Sequence, residues 1–202
     1  MISLEKDGSY WLAVIDRPDK ANSLTSEMLE KLCEIAEAAH HAQVLVLTGV
    51  GKVFSAGADL EAARAGLAHS PLWERLSGAI ARLPGLTVCA MNGTVAGGAM
   101  GMTLACDLRI SVPDAKIFYP VMKLGFLPQP SDPERLTALV GPSRAKMILM
   151  AGQKIPVEEA LTWGLVDRIV EPAQLLPAVR ALSEHTLAAD PAHARAIKTL
   201  IR

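Results

Sequence analysis

Residues 92–108, NGTVAGGAMGMTLACDL, join a loop of small residues to the start of an apolar helix. The loop has no following lysine with Ser or Thr to hold a phosphate, and its glycine spacing departs from the dinucleotide fingerprint. Glycines in such a place either make a tight turn or leave main-chain N–H groups accessible to a ligand. At a helix start those N–H groups lack internal acceptors, and the helix dipole favours negative charge there.

The same pattern occurs earlier in the chain. Residues 44–60, VLVLTGVGKVFSAGADL, also run from an apolar strand through a loop of Gly, Ala and Ser into a helix. Taken singly, each loop is explained by a tight turn or by close helix packing. Two loops of this kind whose N–H groups point at one position would form an oxyanion hole. The pair therefore favours a ligand-binding interpretation.

Length and composition indicate one intracellular domain, residues 1–202. The net charge of -1 gives no general attraction to nucleic acid or to an acidic membrane. The first sixteen residues lack the apolar stretch of a secretory signal, so we expect a cytoplasmic protein. The longest uncharged run, residues 83–106, is interrupted by Pro84 and Gly85, which argues against a membrane span.

The cysteines and histidines of the sequence indicate neither a bound metal nor a disulfide. The three cysteines stand singly in apolar surroundings, which is typical of buried thiols in a reducing compartment. The five histidines share no metal-ligand spacing. We therefore predict neither a metal site nor a permanently bound cofactor.

Hydrophobic periodicity predicts alternating strands and helices followed by a helical region. Apolar runs and amphipathic patterns succeed one another in the order strand, helix, strand, and this order then repeats, which predicts an α/β fold. After Pro128 the pattern becomes helical. The predicted strands are residues 9–16, 42–49, 85–93 and 107–111, and the predicted helices are 25–39, 71–83, 97–106, 142–150, 156–163 and 174–189.

Three segments together resemble the crotonase superfamily, that is, the enoyl-CoA hydratase/isomerase family. They are residues 52–60 (KVFSAGADL), residues 91–111 (MNGTVAGGAMGMTLACDLRIS) and residues 135–172, which end in a match to the family pattern A-x-x-x-G-L-V. The resemblance runs from Ile2 to about Pro172. It implies a spiral of β-β-α units over residues 1–140 and a helical region, shorter than in relatives, over residues 141–202.

The resemblance also implies an activity. Members bind acyl-CoA thioesters and stabilise an enolate at the thioester carbonyl, so coenzyme A would enter as part of the substrate. The two oxyanion donors would be the N–H groups of Ala58 and Gly98. Gly97 stands as in the family, whereas Ala99 replaces the usual third glycine.

Residues 17–25, RPDKANSLT, resemble the family segment that lies along coenzyme A. By that match Lys20, Ala21 and Asn22 are candidates for the carrier side. Ala56, Asp59 and Leu60 would line the path of the adenine and pantetheine groups. The alternative is a polar turn that caps the next helix, with an exposed lysine of no specific role.

Both glutamates that hydratases of this family use are replaced. By the family pattern they would stand at Gly101 and Val121, and neither side chain carries a proton. Hydration needs two proton-transferring groups, whereas moving a double bond needs one base that shuttles a proton between two carbons. The sequence therefore favours an isomerase-like reaction over standard hydration.

Three carboxylates are candidate substitutes for the missing base. Glu74 lies on a helix that covers the acyl pocket in relatives, although it is also explained by a solvated helix face beside Arg75. Asp132 and Glu134 lie near the same pocket, although Ser131 followed by Glu134 also reads as a capping box. Tyr119, beside the vacated position 121, either orients the substrate or fills the core.

We therefore expect an acyl-CoA enzyme that binds no nucleic acid and no membrane and that forms a homo-oligomer, a trimer or a hexamer. A decarboxylase or hydrolase of the same fold remains open. So does a non-catalytic acyl-CoA-binding relative that docks on an active partner.

Overall fold

A computed structural model describes residues 1–201. Six strands form the main sheet: β1 (Ile2–Asp7), β2 (Tyr10–Ile15), β3 (Val44–Gly49), β5 (Leu86–Met91), β7 (Leu108–Ser111) and β10 (Arg168–Ile169). They lie side by side in that order. The pair β1–β2 is antiparallel and every other neighbouring pair is parallel. Parallel neighbours require crossover connections, which the intervening segments supply.

Four short strands form a second sheet. They are β4 (Val53–Ser55), β6 (Thr94–Ala96), β8 (Lys116–Phe118) and β9 (Ile155–Pro156), adjacent in that order. The strand pairs β4–β6 and β6–β8 are parallel, so the loops that follow β4 and β6 emerge at the same edge. This edge carries the two small-residue loops.

The helices pack on the sheets, and the last part of the chain is mostly helical. Their bounds are α1 (Ser26–Ala38), α2 (Leu60–Arg64), α3 (Leu72–Arg82), α4 (Ala99–Ala105), α5 (Val121–Leu124), α6 (Asp132–Leu149), α7 (Val157–Trp163), α8 (Leu175–Ala188) and α9 (Pro191–Ile201). Thr25 caps α1 through a hydrogen bond accepted from Met28 N–H, as expected. Val46 and Val88 are fully buried, because helices cover both faces of the sheet.

The predicted α/β alternation is confirmed, although strands β1 and β10 of the main sheet and helix α5 were not predicted. The strands of the second sheet escaped prediction, because two or three residues show no periodicity. The predicted helix 142–150 is the second half of α6, which continues through a kink at Gly141 with φ of +80°. A further helix, α9, ends the described chain. Within residues 1–201 no helix is both long and apolar enough to cross a membrane.

Candidate active site

Two loops meet where strands β4 and β6 end. The first turns at Gly57, whose φ of +88° lies in the region that favours glycine. A β-carbon on Gly57 would lie 2.8 Å from the carbonyl oxygen of Ala96 and 3.0 Å from the nitrogen of Gly98. Because any side chain would collide there, glycine is needed to bring the two main chains together.

The N–H groups of Ala58 and Gly98 have no hydrogen-bond acceptor among residues 1–201. Ala58 follows the Gly57 turn, and its flanking residues bond to Leu24 instead: Leu24 N–H donates to Gly57 O at 2.7 Å and Asp59 N–H donates to Leu24 O at 2.9 Å. Gly98 precedes helix α4, where the N–H groups have no intrahelical partner. Both residues line one cavity of about 410 Å³.

Seven of the residues that the sequence singled out line the cavity, namely Ala56, Ala58, Leu60, Gly97, Gly98, Tyr119 and Val121. Its other walls are largely apolar and come from α3, α5 and the loop after α5. A concave, mostly apolar cavity with two unpaired N–H groups at one side suits a ligand that combines an acyl chain with a carbonyl oxygen.

The carrier-side candidates lie beside this cavity instead of lining it. Lys20 is exposed, and Ala21 adopts φ of +50°. The carbonyl of Ala21 accepts a hydrogen bond from Ala56 N–H at 3.0 Å, which joins this segment to the cavity rim. Asp59 caps helix α2 and pairs with Arg17 at 2.8 Å. The Arg17 hydrogen bond lowers the pKa of Asp59, so this carboxylate already has partners.

Asn22 serves the scaffold, and this is a correction to its assignment as a carrier-side residue. It is fully buried, and its amide group donates to Val50 O at 2.9 Å and Val53 O at 2.6 Å. Its side-chain oxygen accepts from Arg17 N–H at 2.8 Å. With each polar atom of the side chain engaged, Asn22 fixes the turn from which the loops emerge.

Trp73 forms the wall opposite Gly98. A β-carbon on Gly98 would lie 3.0 Å from three carbons of the Trp73 ring. The indole N–H donates to Leu67 O at 2.8 Å, and the side chain is buried, so the ring is held in place. Nothing in the sequence pattern distinguishes Trp73 from an ordinary core aromatic residue, and it was not predicted as part of the site.

Asp132 lies against Gly101, one of the two positions where the sequence resemblance leads us to expect the hydratase glutamates. A β-carbon on Gly101 would lie 3.1 Å from Oδ1 and 3.4 Å from Oδ2 of Asp132. Val121, the other such position, is buried and lines the cavity. A carboxylate from helix α6 thus occupies the space beside Gly101 on α4.

Asp132 is almost completely buried and lies behind Tyr119. The Tyr119 hydroxyl donates to Asp132 Oδ2 at 2.9 Å and accepts from Gln129 N–H at 3.3 Å. Burial raises the pKa of Asp132 to about 6, while the Tyr119 hydrogen bond and the Arg135 guanidinium oppose this shift. Burial likewise raises the pKa of Tyr119 well above its usual value. Oδ1 of Asp132 has no hydrogen-bond partner within residues 1–201.

Glu74 is held by the segment that precedes α6. Ser131 N–H donates to Glu74 Oε2 at 3.2 Å, and the Ser131 hydroxyl donates to Oε1. The alternative of a capping box at Ser131 is wrong, because its side chain makes no capping hydrogen bond and points to Glu74 instead. Glu134 is exposed on α6. Neither Glu74 nor Asp132 is among the cavity-lining residues of the described chain.

Residues 7–202 match the family model described as enoyl-CoA hydratase/isomerase. A short-chain-enoyl-CoA hydratase of Clostridium acetobutylicum is 31% identical over 99% of this chain and 80% of its own length. A putative enoyl-CoA hydratase of Thermus thermophilus is 34% identical over 100% of this chain and 83% of its own length. The chain therefore belongs to the enoyl-CoA hydratase/isomerase family, which is a family of enzymes.

Solved structures agree. The crystal structure of an enoyl-CoA hydratase from Bacillus anthracis superposes with a TM-score of 0.92 and 30% identity, covering 99% of this chain and 81% of that one. The structure of DspI from Pseudomonas aeruginosa gives a TM-score of 0.90 and 32% identity, covering 99% and 85%. The α/β architecture described above is thus the crotonase fold, as the sequence resemblance predicted.

Proposed function

We propose that this protein binds an acyl-CoA thioester and stabilises its enolate with the N–H groups of Ala58 and Gly98. The observation that carries the proposal is the pairing of two unbonded N–H groups, from separate loops, on one apolar cavity. Fixed main-chain donors suit an oxygen that gains charge only as the reaction proceeds. Stabilisation of this kind commonly contributes about 10²–10³ to the rate for each donor.

We further propose that the reaction is isomerase-like. The relatives above are named hydratases, but the two family glutamate positions here are Gly101 and Val121. One base is enough to remove a proton from C2 of a 3-enoyl thioester and return it at C4. Glu74 and Asp132 are the candidate carboxylates for this base, and neither side chain lines the cavity.

The coenzyme A part of the substrate would lie along the cavity rim, which is formed by Ala56, Leu60 and the adjoining Lys20–Ala21 turn. Leu60 is 76% exposed at the cavity edge, where an extended pantetheine group would cover it. Arg64 also lines the cavity and is exposed, so it offers a second cation to the phosphates of the carrier.

A homo-oligomer remains our expectation for the assembly. Leu200 and Ile201 are 86% and 80% exposed on helix α9. Apolar side chains exposed together favour contact with a second surface. Light scattering on the purified protein tests the expected trimer or hexamer.

Two substrates test the proposed reaction. A 3-enoyl-CoA should gain the absorbance of a conjugated thioester, because the double bond moves to C2. Crotonyl-CoA should lose little absorbance, because hydration is slow without the two glutamates. If neither substrate turns over while the acyl-CoA still binds in calorimetry, the protein is the non-catalytic binder. If no acyl-CoA binds, the ligand assignment itself is wrong.

A further inference from the structure

One cavity-lining residue, Tyr119, is hydrogen-bonded to a buried aspartate that does not line the cavity. Tyr119 follows strand β8 and lines the same cavity as Ala58 and Gly98. Its hydroxyl donates to Oδ2 of Asp132 at 2.9 Å. Asp132 is 1% exposed, begins helix α6 and does not line the cavity, so its contact with a cavity-lining residue is the hydrogen bond from Tyr119.

We propose that Tyr119 is the proton-transferring residue of this site and that Asp132, hydrogen-bonded to its hydroxyl, is a positioning residue that takes up and returns the proton. This inference rests on the proposed function, since it supplies the single base that the isomerase-like reaction requires. It names a catalytic residue at a position other than the two family glutamate positions.

The environment of Asp132 supports this role. A buried carboxylate usually has partners for both oxygens, yet Oδ1 has none within the described chain. A carboxylate so desolvated is a stronger base than an exposed one. The charged and titratable groups that face it are Glu74 from α3, Arg135 from its own helix, and Tyr119 itself. Of these, Tyr119 is the one that reaches the cavity wall.

The glycine at position 101 makes room for this arrangement. A β-carbon there would lie 3.1 Å from Oδ1 of Asp132, a separation that would force the carboxylate to shift. Glycine inside a helix is destabilising relative to alanine, so a packing reason is expected for it. The space left free on α4 is the space that the carboxylate from α6 uses.

The proposed steps balance in protons and electrons. The C2–H bond of a 3-enoyl thioester breaks, and its electron pair moves into the thioester carbonyl to form a dienolate whose oxygen faces Ala58 and Gly98. The C2 proton goes to the Tyr119 oxygen while the Tyr119 hydroxyl proton passes to Asp132. In the second step Tyr119 delivers a proton to C4 and recovers one from Asp132, which leaves the 2-enoyl thioester. No oxidant or reductant is consumed.

The tyrosine test compares Tyr119→Phe with Tyr10→Phe, which removes the hydroxyl of the other tyrosine of the chain. Tyr10 lies on strand β2, under the guanidinium of Arg180. With a 3-enoyl-CoA as substrate, Tyr119→Phe should lower kcat by about 10²–10⁴-fold and leave KM within a few-fold. Tyr10→Phe should match the wild type. A Tyr119→Phe enzyme with wild-type kcat overturns the inference.

The aspartate test has a readout that a purely structural role would not change. Asn at position 132 still accepts the Tyr119 hydrogen bond but cannot take up a proton, so Asp132→Asn should lower kcat and abolish the rise of kcat with pH centred near 6. Glu134→Gln, two residues along on the exposed side of α6, should keep both. Survival of that rise in Asp132→Asn overturns the role of Asp132, even if Tyr119→Phe fails to fold.

Failure of the inference is distinguishable from failure of the proposed function. If the wild type neither isomerises the 3-enoyl-CoA nor binds it in calorimetry, the proposed function is wrong and the inference is overturned with it. If the wild type is active and both variants keep its rate and pH profile, the proposed function stands and the Tyr119–Asp132 inference alone is wrong. Circular dichroism of each variant establishes that it is folded.

Discussion

Gly101 and Asp132 share one space, although they lie on different helices. The α-carbon of Gly101 faces the carboxylate so closely that a β-carbon would lie 3.1 Å from Oδ1. Like charges brought together in a buried position destabilise the fold, and a larger side chain at position 101 would also overpack it. The two positions should therefore behave as a coupled pair.

A double-mutant cycle tests this coupling. Gly101→Glu places a second carboxylate against Asp132 and should lower the free energy of unfolding by about 3–5 kcal/mol. In an Asp132→Ala background the same change should cost less, with a coupling energy of about 1–3 kcal/mol. Denaturant unfolding measures all four proteins. A Glu134→Ala background is the matched control, and additivity with Asp132→Ala would contradict the shared space.

Substitution of Gly98 should impair catalysis through its N–H group. In Gly98→Ala the new methyl group would lie 3.0 Å from the Trp73 ring, and because that ring is buried and hydrogen-bonded we expect the main chain at residue 98 to shift. We expect kcat for a 3-enoyl-CoA to fall by about 10²-fold, the cost of one misplaced donor. Steady-state kinetics measures it. Adding Trp73→Leu removes the collision and should restore part of kcat, whereas a fully active Gly98→Ala enzyme would contradict the donor role.

The wild-type protein should lose stability as pH rises through the pKa of Asp132, and Asp132→Asn should not. Because the pKa of Asp132 rises from 3.8 to about 6 on folding, the folded state holds its proton more tightly than the unfolded chain does. Stability is therefore lost as pH rises through this interval. Asp132→Asn removes that loss, and should gain about 1–3 kcal/mol at about pH 8 and nothing below about pH 4. Thermal unfolding across pH measures it, and an equal change at both ends would contradict the sign.

Asn22 should matter for stability more than for substrate binding. Asn22→Ala leaves the partners of three hydrogen bonds without their acceptor or donor in a buried place. We expect a loss of about 2–4 kcal/mol in the free energy of unfolding. Lys20→Ala, two residues earlier and exposed, should stay within about 0.5 kcal/mol in the same denaturant experiment. Equal losses in both would contradict the scaffold role of Asn22.

The α/β fold class could be predicted from the sequence because the hydrophobic patterns of the main strands and helices are long. The apolar runs at Val44–Gly49 and Leu86–Met91 and the amphipathic helix α1 extend over enough residues to show their period. The strands β4, β6 and β8 have three residues each, so pairing between distant segments decides them. Hydrophobic periodicity along the sequence does not show which distant segments pair.

For the site, the sequence named the main-chain groups and, among the side chains, Tyr119 and Asp132 as candidates, but it did not predict which side chains contact one another. The small-residue loops indicated main-chain donors, and the family resemblance assigned these to Ala58 and Gly98, which line one cavity; their roles as donors stay predictions. The contact of Asp132 with Gly101 depends on how α6 packs on α4, thirty residues away along the chain, and no pattern in either helix announces it. Trp73 escaped for the same reason, since its position against Gly98 follows from helix packing.

The close approach at Gly57 makes the two loops one mechanical unit. Since the main chain at Gly57 leaves no room for a β-carbon beside Ala96 and Gly98, we expect a shift of either loop to displace the other. On this expectation the relative direction of the two N–H groups is set before a ligand arrives. We expect the two loops to keep their positions when the thioester binds. The exposed side chains around the cavity mouth should be the ones that move to accommodate different acyl groups.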